Sequence, residues 1–365
     1  MTRRRFLAAG AAAAALAAPA HRTKNLILVT ADGLRWQDLF TGIDPLLMNA
    51  KDAGMTETGA PELRDRLWKP QPEDRRLALL PFFWGTLAPR GIVLGNVNKG
   101  SSVQVTNSYR VSYPGYSEIL TGRAQDDLIH GNDPVQNPTP SFFQFVKQQW
   151  KLPKEKVAVF ASWDAFHWIA ESRRGEIFIN AGYEPSALPE NPRVAELNKL
   201  QMQARYLDDS ARHDAFTFGL AMEYLKSVRP RLLFISFDET DDWAHARRYD
   251  RVLTSIQFLD AALEDLWSWL QISPAYRNAT TLMVTCDHGR GSTLDDWHSH
   301  GKDVAGADQI WLAIVGPDTP PLGEAHDPAA RHQRDIAPTA LRLLGIDPGG
   351  YPGMLGTPIP AGSYH

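Results

Sequence analysis

Four short stretches of the chain combine residue types that can hold a cation. Asp32 follows the aliphatic run 26–30 and precedes Gly33, and Asp287-His288-Gly289 follows the run 281–286 in the same way. A carboxylate placed so sits at the carboxyl end of a strand, the edge at which open α/β sheets bind ligands. Alone, an Asp-Gly pair makes a turn; its recurrence with an imidazole adds a second metal-ligating group. Asp238-Glu239-Thr240-Asp241-Asp242 closes a third run at Phe237, with His245 beyond it. The spacing of Asp241 and His245 puts both on one face of a helical turn, where they can clamp one cation. Asp238 competes for that carboxylate role, and an acidic first turn also complements a helix dipole. Trp297-His298-Ser299-His300-Gly301 supplies two more imidazoles, which a surface loop would equally carry.

A hydroxyl comes from the stretch Val111-Ser112-Tyr113-Pro114-Gly115-Tyr116, which runs on to Thr121-Gly122. Ser112 is expected to cap a helix that has Pro114 near its first position and Gly122 past its end. Beside it lie free backbone N–H groups, which attract an anionic ester.

The elements that must position these groups are short aliphatic or β-branched runs at 26–30, 92–97, 157–161, 232–237, 281–286 and 310–315. Such runs read as strands buried on both faces. Longer amphipathic stretches such as 214–228 and 251–270 lie between them. The alternation predicts an α/β fold, a mainly parallel central sheet with helices on both faces. No repeat or Gly/Ser-rich linker divides the chain, so 21–365 reads as a single α/β domain with insertions near 41–80 and 163–210.

Composition agrees with a folded chain, since 43% of the 365 residues are hydrophobic, enough to bury a sizeable core. The net charge is −4, and residues 1–20 contribute three arginines and no acid, leaving −7 on the remainder. An acidic body argues against stable nucleic-acid binding, which rests on clustered Lys and Arg. The lone Cys286 excludes an internal disulfide and a Cys-based zinc site. Arg3-Arg4-Arg5, the apolar stretch 6–18 and Ala18-Pro19-Ala20 read as a twin-arginine signal peptide over 1–20, whose partner is the twin-arginine export machinery. That stretch falls short of the roughly 20 residues that span a bilayer, so no membrane anchor is expected. The expected location is periplasmic or secreted.

Carboxylate, hydroxyl, Asp-x3-His, Asp-His and a late His, in this order, resemble the alkaline phosphatase superfamily along the whole chain after residue 20. Gln333-Arg334-Asp335-Ile336-Ala337-Pro338-Thr339 with Leu343-Leu344-Gly345 resembles its C-terminal signature. The resemblance implies two divalent metal ions, commonly zinc, with manganese or iron also compatible with such ligands. It places Asp32, Ser112, Asp287 and His288 on one ion and Asp241, His245 and His300 on the other. His300 is taken over His298 because Gly follows it. Within the superfamily, Ser112-Tyr113-Pro114 ending in Thr121-Gly122 is closest to the nucleotide pyrophosphatase/phosphodiesterase-like branch, which implies that Asn132 binds a phosphoryl oxygen. Gly115 departs from that branch, where Asn is common. The sulfatases' Cys/Ser-x-Pro-x-Arg is not met, because Tyr116 stands where the arginine belongs.

The expected function is hydrolysis of a small-molecule phosphate ester, monoester or diester, through a covalent phosphoserine on Ser112. Sulfatase-like or phosphomutase activity, or an inactive metal-binding protein, are the alternatives. A monoester needs added cations beside Asn132. Arg110, Arg123, Arg173 and Arg174 lie in no motif that puts them there, which favours diesters. Trp163, Phe166 and Trp168 follow the run 157–161 and are expected either at the pocket mouth or in the core.

Overall fold

A computed structural model describes residues 21–360 apart from 187, 189 and 206–208. The signal peptide expected over 1–20 lies outside the described residues. The centre is an eight-stranded sheet. In chain order its strands are β1 (Asn25–Ala31), β2 (Ile92–Leu94), β3 (Val157–Ala161), β4 (Phe178–Ala181), β5 (Leu232–Phe237), β6 (Thr280–Thr285), β7 (Leu312–Val315) and β8 (Gly323–Glu324). They lie side by side as β8-β2-β7-β6-β1-β5-β3-β4. All pairs are parallel except those of β7, which runs antiparallel to both β2 and β6.

Every residue of β1, β5 and β6 is buried, the pattern expected when helices cover both faces. The helices that matter to the site are α1 (Ser112–Thr121), α2 (Asp214–Val228), α3 (Glu239–His245), α4 (Tyr249–Ile272) and α5 (Ile336–Leu343). No helix among the described residues is long and apolar enough to cross a membrane.

Two expectations change. The stretch 163–210 is not simply an insertion, because β4 within it pairs with β3 and forms one edge of the sheet. Ser112 does not cap α1: Val111 is the N-cap, in extended conformation, and Ser112 is the first helical residue. Its hydroxyl is thereby released from the cap role.

Register explains why the chemistry collects at one edge. Leu26 pairs with Leu232 and Thr281, and Thr30 with Ser236 and Thr285. Strands about 4.8 Å apart that end in step deliver the residues after them to one neighbourhood. Asp32, Asp238 and Asp287 therefore leave the sheet side by side.

Candidate metal centre and nucleophile

Asp32 and Asp287 are 1% and 0% exposed. Each has one carboxylate oxygen held and one open. Tyr116 donates its phenol to Asp32 Oδ2 at 2.9 Å, and the Gly33 N–H donates to Asp287 Oδ1 at 3.0 Å. Asp32 Oδ1 and Asp287 Oδ2 are buried and accept no hydrogen bond from any described residue. Both stand 3.4 Å from His288 Nε2. The His288 Nδ1–H faces the Gly289 carbonyl at 3.0 Å, which fixes the tautomer and leaves Nε2 turned to the carboxylates.

Such crowding has a cost in the absence of a cation. Burial, and then Asp32, push Asp287 up to about 8. Burial alone would lower His288, but Asp287 and Asp32 raise it to about 9. Orphaned oxygens on two buried carboxylates beside an oriented imidazole fit a divalent cation, whose charge would hold both acids ionised. The ligand atoms of Asp32, Asp287 and His288 all lie within 4.8 Å of one another, as do those of Asp241, His288 and His300. His288 belongs to both groups and stands between them.

The second set sits on α3 and the 298–301 loop. One helical turn brings His245 Nε2 to 3.1 Å from Asp241 Oδ2, the contact expected of the four-residue spacing. His245 and His300 meet Nε2 to Nε2 at 3.0 Å. The His300 Nδ1–H faces the Arg110 carbonyl at 3.1 Å, again leaving Nε2 for a ligand. Burial, then His288 and Arg290, hold His300 far below the usual histidine range, hence neutral. His298 instead pairs its Nδ1 with the Ser299 hydroxyl and joins neither ligand group. Asp238, the competitor of Asp241, is the N-cap of α3; burial and then Asp242 push its carboxyl well above the usual range.

Ser112 is 6% exposed, with Oγ 3.4 Å from His288 Nε2. Its helix is pressed against the candidate metal-binding edge, since a Cβ built on Gly115 would lie 2.3 Å from the Asp287 carbonyl oxygen. That approach explains the departure at 115, where no side chain fits. Asn132 reaches the same helix end, its Oδ1 accepting the Tyr113 N–H at 2.9 Å. The bond turns the Asn132 amide N–H group outward and removes the Tyr113 N–H from the donors expected to face an anion.

Two residues escaped the sequence reading. Tyr116 lies one turn after Ser112 on the same helix face, a spacing that was available as a signal. Arg290, directly after Asp-His-Gly, is 1% exposed. It donates to the carbonyls of Gly33, His298 and Asp241 and pairs with Asp241 Oδ1. One guanidinium thus ties the β1 end, α3 and the His300 loop together. Burial lowers its pKa to about 9, so it stays charged at neutral pH.

Of the aromatics after β3, Phe166 is 1% exposed and packs edge-on against Tyr116 at 4.7 Å, while Trp163 and Trp168 are partly buried against the core. Of the two placements expected for them, Phe166 takes the core one. Arg173 is exposed and paired with Glu176, away from the centre, whereas the Arg110 backbone borders it.

Solved structures sharing this architecture include a phosphonate monoester hydrolase from Silicibacter pomeroyi, at TM-score 0.53 and 14% identity, covering 92% of this chain and 76% of that one. A putative sulfatase from Bacteroides thetaiotaomicron has TM-score 0.56 and 12% identity, with 92% and 74% covered. The lipoteichoic acid synthase LtaP from Listeria monocytogenes has 0.55 and 15%, with 92% and 74% covered. The chain has the alkaline phosphatase superfamily fold. No family model and no curated protein matches the sequence. Within the alkaline phosphatase fold, this chain's ligand groups occupy the carboxyl edge of the three central strands β5, β1 and β6, and its serine helix closes over that edge.

Proposed function

We propose that the chain hydrolyses phosphate esters in a metal-dependent reaction through a covalent phosphoserine on Ser112, acting on diesters in preference to monoesters. The observation that carries this reading is the Ser112 hydroxyl 3.4 Å from His288 Nε2, beside two buried carboxylate oxygens without donors. Divalent cations held by Asp32, Asp287 and His288 and by Asp241, His245 and His300 would supply the charge that acidifies the Ser112 hydroxyl and neutralises the departing oxygen. Ser112 Oγ then attacks phosphorus in line and the ester oxygen leaves on the far side. Asn132, its Oδ1 engaged by Tyr113, has its amide N–H group free to hold a nonbridging oxygen. Water attacks the phosphoserine from the side the alcohol vacated, regenerating Ser112.

The diester preference rests on the cations. Arg290 is sealed beneath the site and spent on three carbonyls and Asp241. No other described arginine is placed beside Asn132 by a hydrogen bond, and Lys302, which lines a groove together with Asn132, is exposed to solvent. Export through the twin-arginine route, inferred from Arg3-Arg4-Arg5, would carry the folded protein out of the cytoplasm.

The test is a panel of chromogenic phosphate monoesters, diesters and sulfate esters on metal-stripped protein, with zinc, manganese or iron added back. Metal-restored phosphate ester turnover supports the reading. Turnover of the sulfate ester alone would make the chain sulfatase-like, phosphoryl return to a sugar phosphate would make it a mutase, and metal binding without turnover would make it a binding protein.

A further inference from the structure

A groove of about 390 Å³ opens beside Asn132 and His300, walled by Tyr109 and His130 on one side and by Lys302 and Val304 on the other. We propose that it is the subsite for the ester's leaving group and that it selects planar aryl groups over small alkyl ones. The proposal rests on the phosphate-ester reading above.

Position decides which part of the substrate enters. In-line attack by Ser112 Oγ sends the departing oxygen to the side opposite the hydroxyl, and His300, proposed above to serve that oxygen, is held at this groove by the Arg110 carbonyl. His300 also lines the groove, so whatever the departing oxygen carries is delivered into it. Asn132, which also lines the groove, stays with the phosphoryl group.

Shape and rigidity decide the class. The Tyr109 and His130 rings meet at 5.7 Å between centroids, tilted by 38°, and form one aromatic wall. Val111 and Val304 add apolar surface, with Gly131 and Gly301 leaving room between them. The volume lies within the range of small-molecule sites, about 300–1,000 Å³. A flat ring laid against such a wall gains offset or edge contacts that a methyl group cannot make.

The wall is fixed from behind. Glu118 is buried in α1 and accepts the backbone N–H groups of Thr106 and Asn107 at 2.8–3.1 Å. The Asn107 side chain in turn accepts the Arg110 N–H at 2.8 Å, and Arg110 takes a left-handed φ of 52°. Tyr109 therefore sits in a tied loop, and little ordering remains to oppose binding.

Calorimetry on the metal-loaded protein tests the subsite with pairs that differ only in the group entering it: phenylphosphonate against methylphosphonate, and benzenesulfonate against methanesulfonate. The phenyl member should bind at least about tenfold more tightly, as burying one ring face predicts. Tyr109→Ala, which removes the wall, and Val304→Trp, which fills the groove, should each bring the ratio below about threefold. A wild-type ratio within about threefold, or a ratio unchanged in both variants, overturns the proposal. If only the sulfonates bind, the phosphate reading fails while their ratio still judges the groove. Binding of none of the four overturns both.

Discussion

Replacing Gly115 by Ala pits helix propensity against the close approach of α1 to the metal-binding edge. In an ordinary helix the change stabilises by about 1 kcal/mol. Here the new methyl would lie 2.3 Å from the Asp287 carbonyl oxygen and 3.0 Å from its carbon. Ordinary contacts between such atoms begin near 3.4 Å, so helix and strand end must part by about 1 Å. Neither side yields easily, because the Asp287 carbonyl also accepts the Gln333 side-chain amide and α1 is buried along its whole length. Overpacking of this kind costs about 1–3 kcal/mol, which cancels or exceeds the propensity gain. The kinetic effect should be larger. Ser112 rides one turn away on the same helix, and a displacement of about 1 Å at a reacting group costs on the order of a hundredfold in rate. The assay is kcat on a chromogenic ester at saturating metal, with a thermal melt on the same samples. Gly85→Ala serves as the control, since a Cβ there meets nothing within 4 Å. A Gly115→Ala variant that melts higher than wild type and keeps kcat within about twofold would refute the close approach.

Ser112→Ala should lower turnover at least about a thousandfold while the protein still takes up metal, and a residual rate above about a tenth would rule out the covalent route. His300→Ala should reduce bound metal, measured by mass spectrometry, and rate together; His298→Ala should do much less, and the reverse order would reassign the ligand. Asp260, 4% exposed and not among the candidate ligands, is raised to about 6 by burial, against the N–H groups of Phe82 and Phe83 that it accepts. A carboxyl whose folded pKa is raised binds its proton more tightly when folded, so its contribution falls as pH rises from about 4 through 6, by on the order of 3 kcal/mol. Denaturant melts of metal-free wild type and Asp260→Asn across that window should show wild type losing ground to the variant as pH rises; a constant difference would show that Asp260 titrates normally. Bis-p-nitrophenyl phosphate should exceed p-nitrophenyl phosphate in kcat/KM, and a monoester preference of about a hundredfold would reverse the substrate assignment.

The strands that build the site were legible because they are buried on both faces: 26–30, 157–161 and 232–237 appear in the structure with at most a residue added at either end. Edges were not legible. Phe178–Ala181 is only half buried, and the two-residue Gly323–Glu324 is too short to show any period. The spacing of Asp241 and His245 was legible, though Asp238 competed with Asp241; His300 was preferred to His298 only through the resemblance, and the structure adds that its Nδ1 faces a carbonyl while that of His298 faces the Ser299 hydroxyl. Ser112 was misjudged by type: serine favours the cap, but here extended Val111 takes it. Arg290 was invisible because a sequence shows its charge and not the three carbonyls around it.

The order of the strands in the sheet also governs when the site comes into being. The first strand of the chain lies in the interior, and its partners on either side are made from the fifth and sixth. Gly33 and Asp287, joined by one hydrogen bond, are 254 residues apart. During synthesis the first carboxylate therefore waits through most of translation, and a chain stopped before residue 287 holds fragments of the centre with nothing to close them. Contacts of such long range form late, after the entropy of closing large loops has been overcome. Metal uptake at the proposed centre would thus report that the chain has been made and folded at least as far as His300.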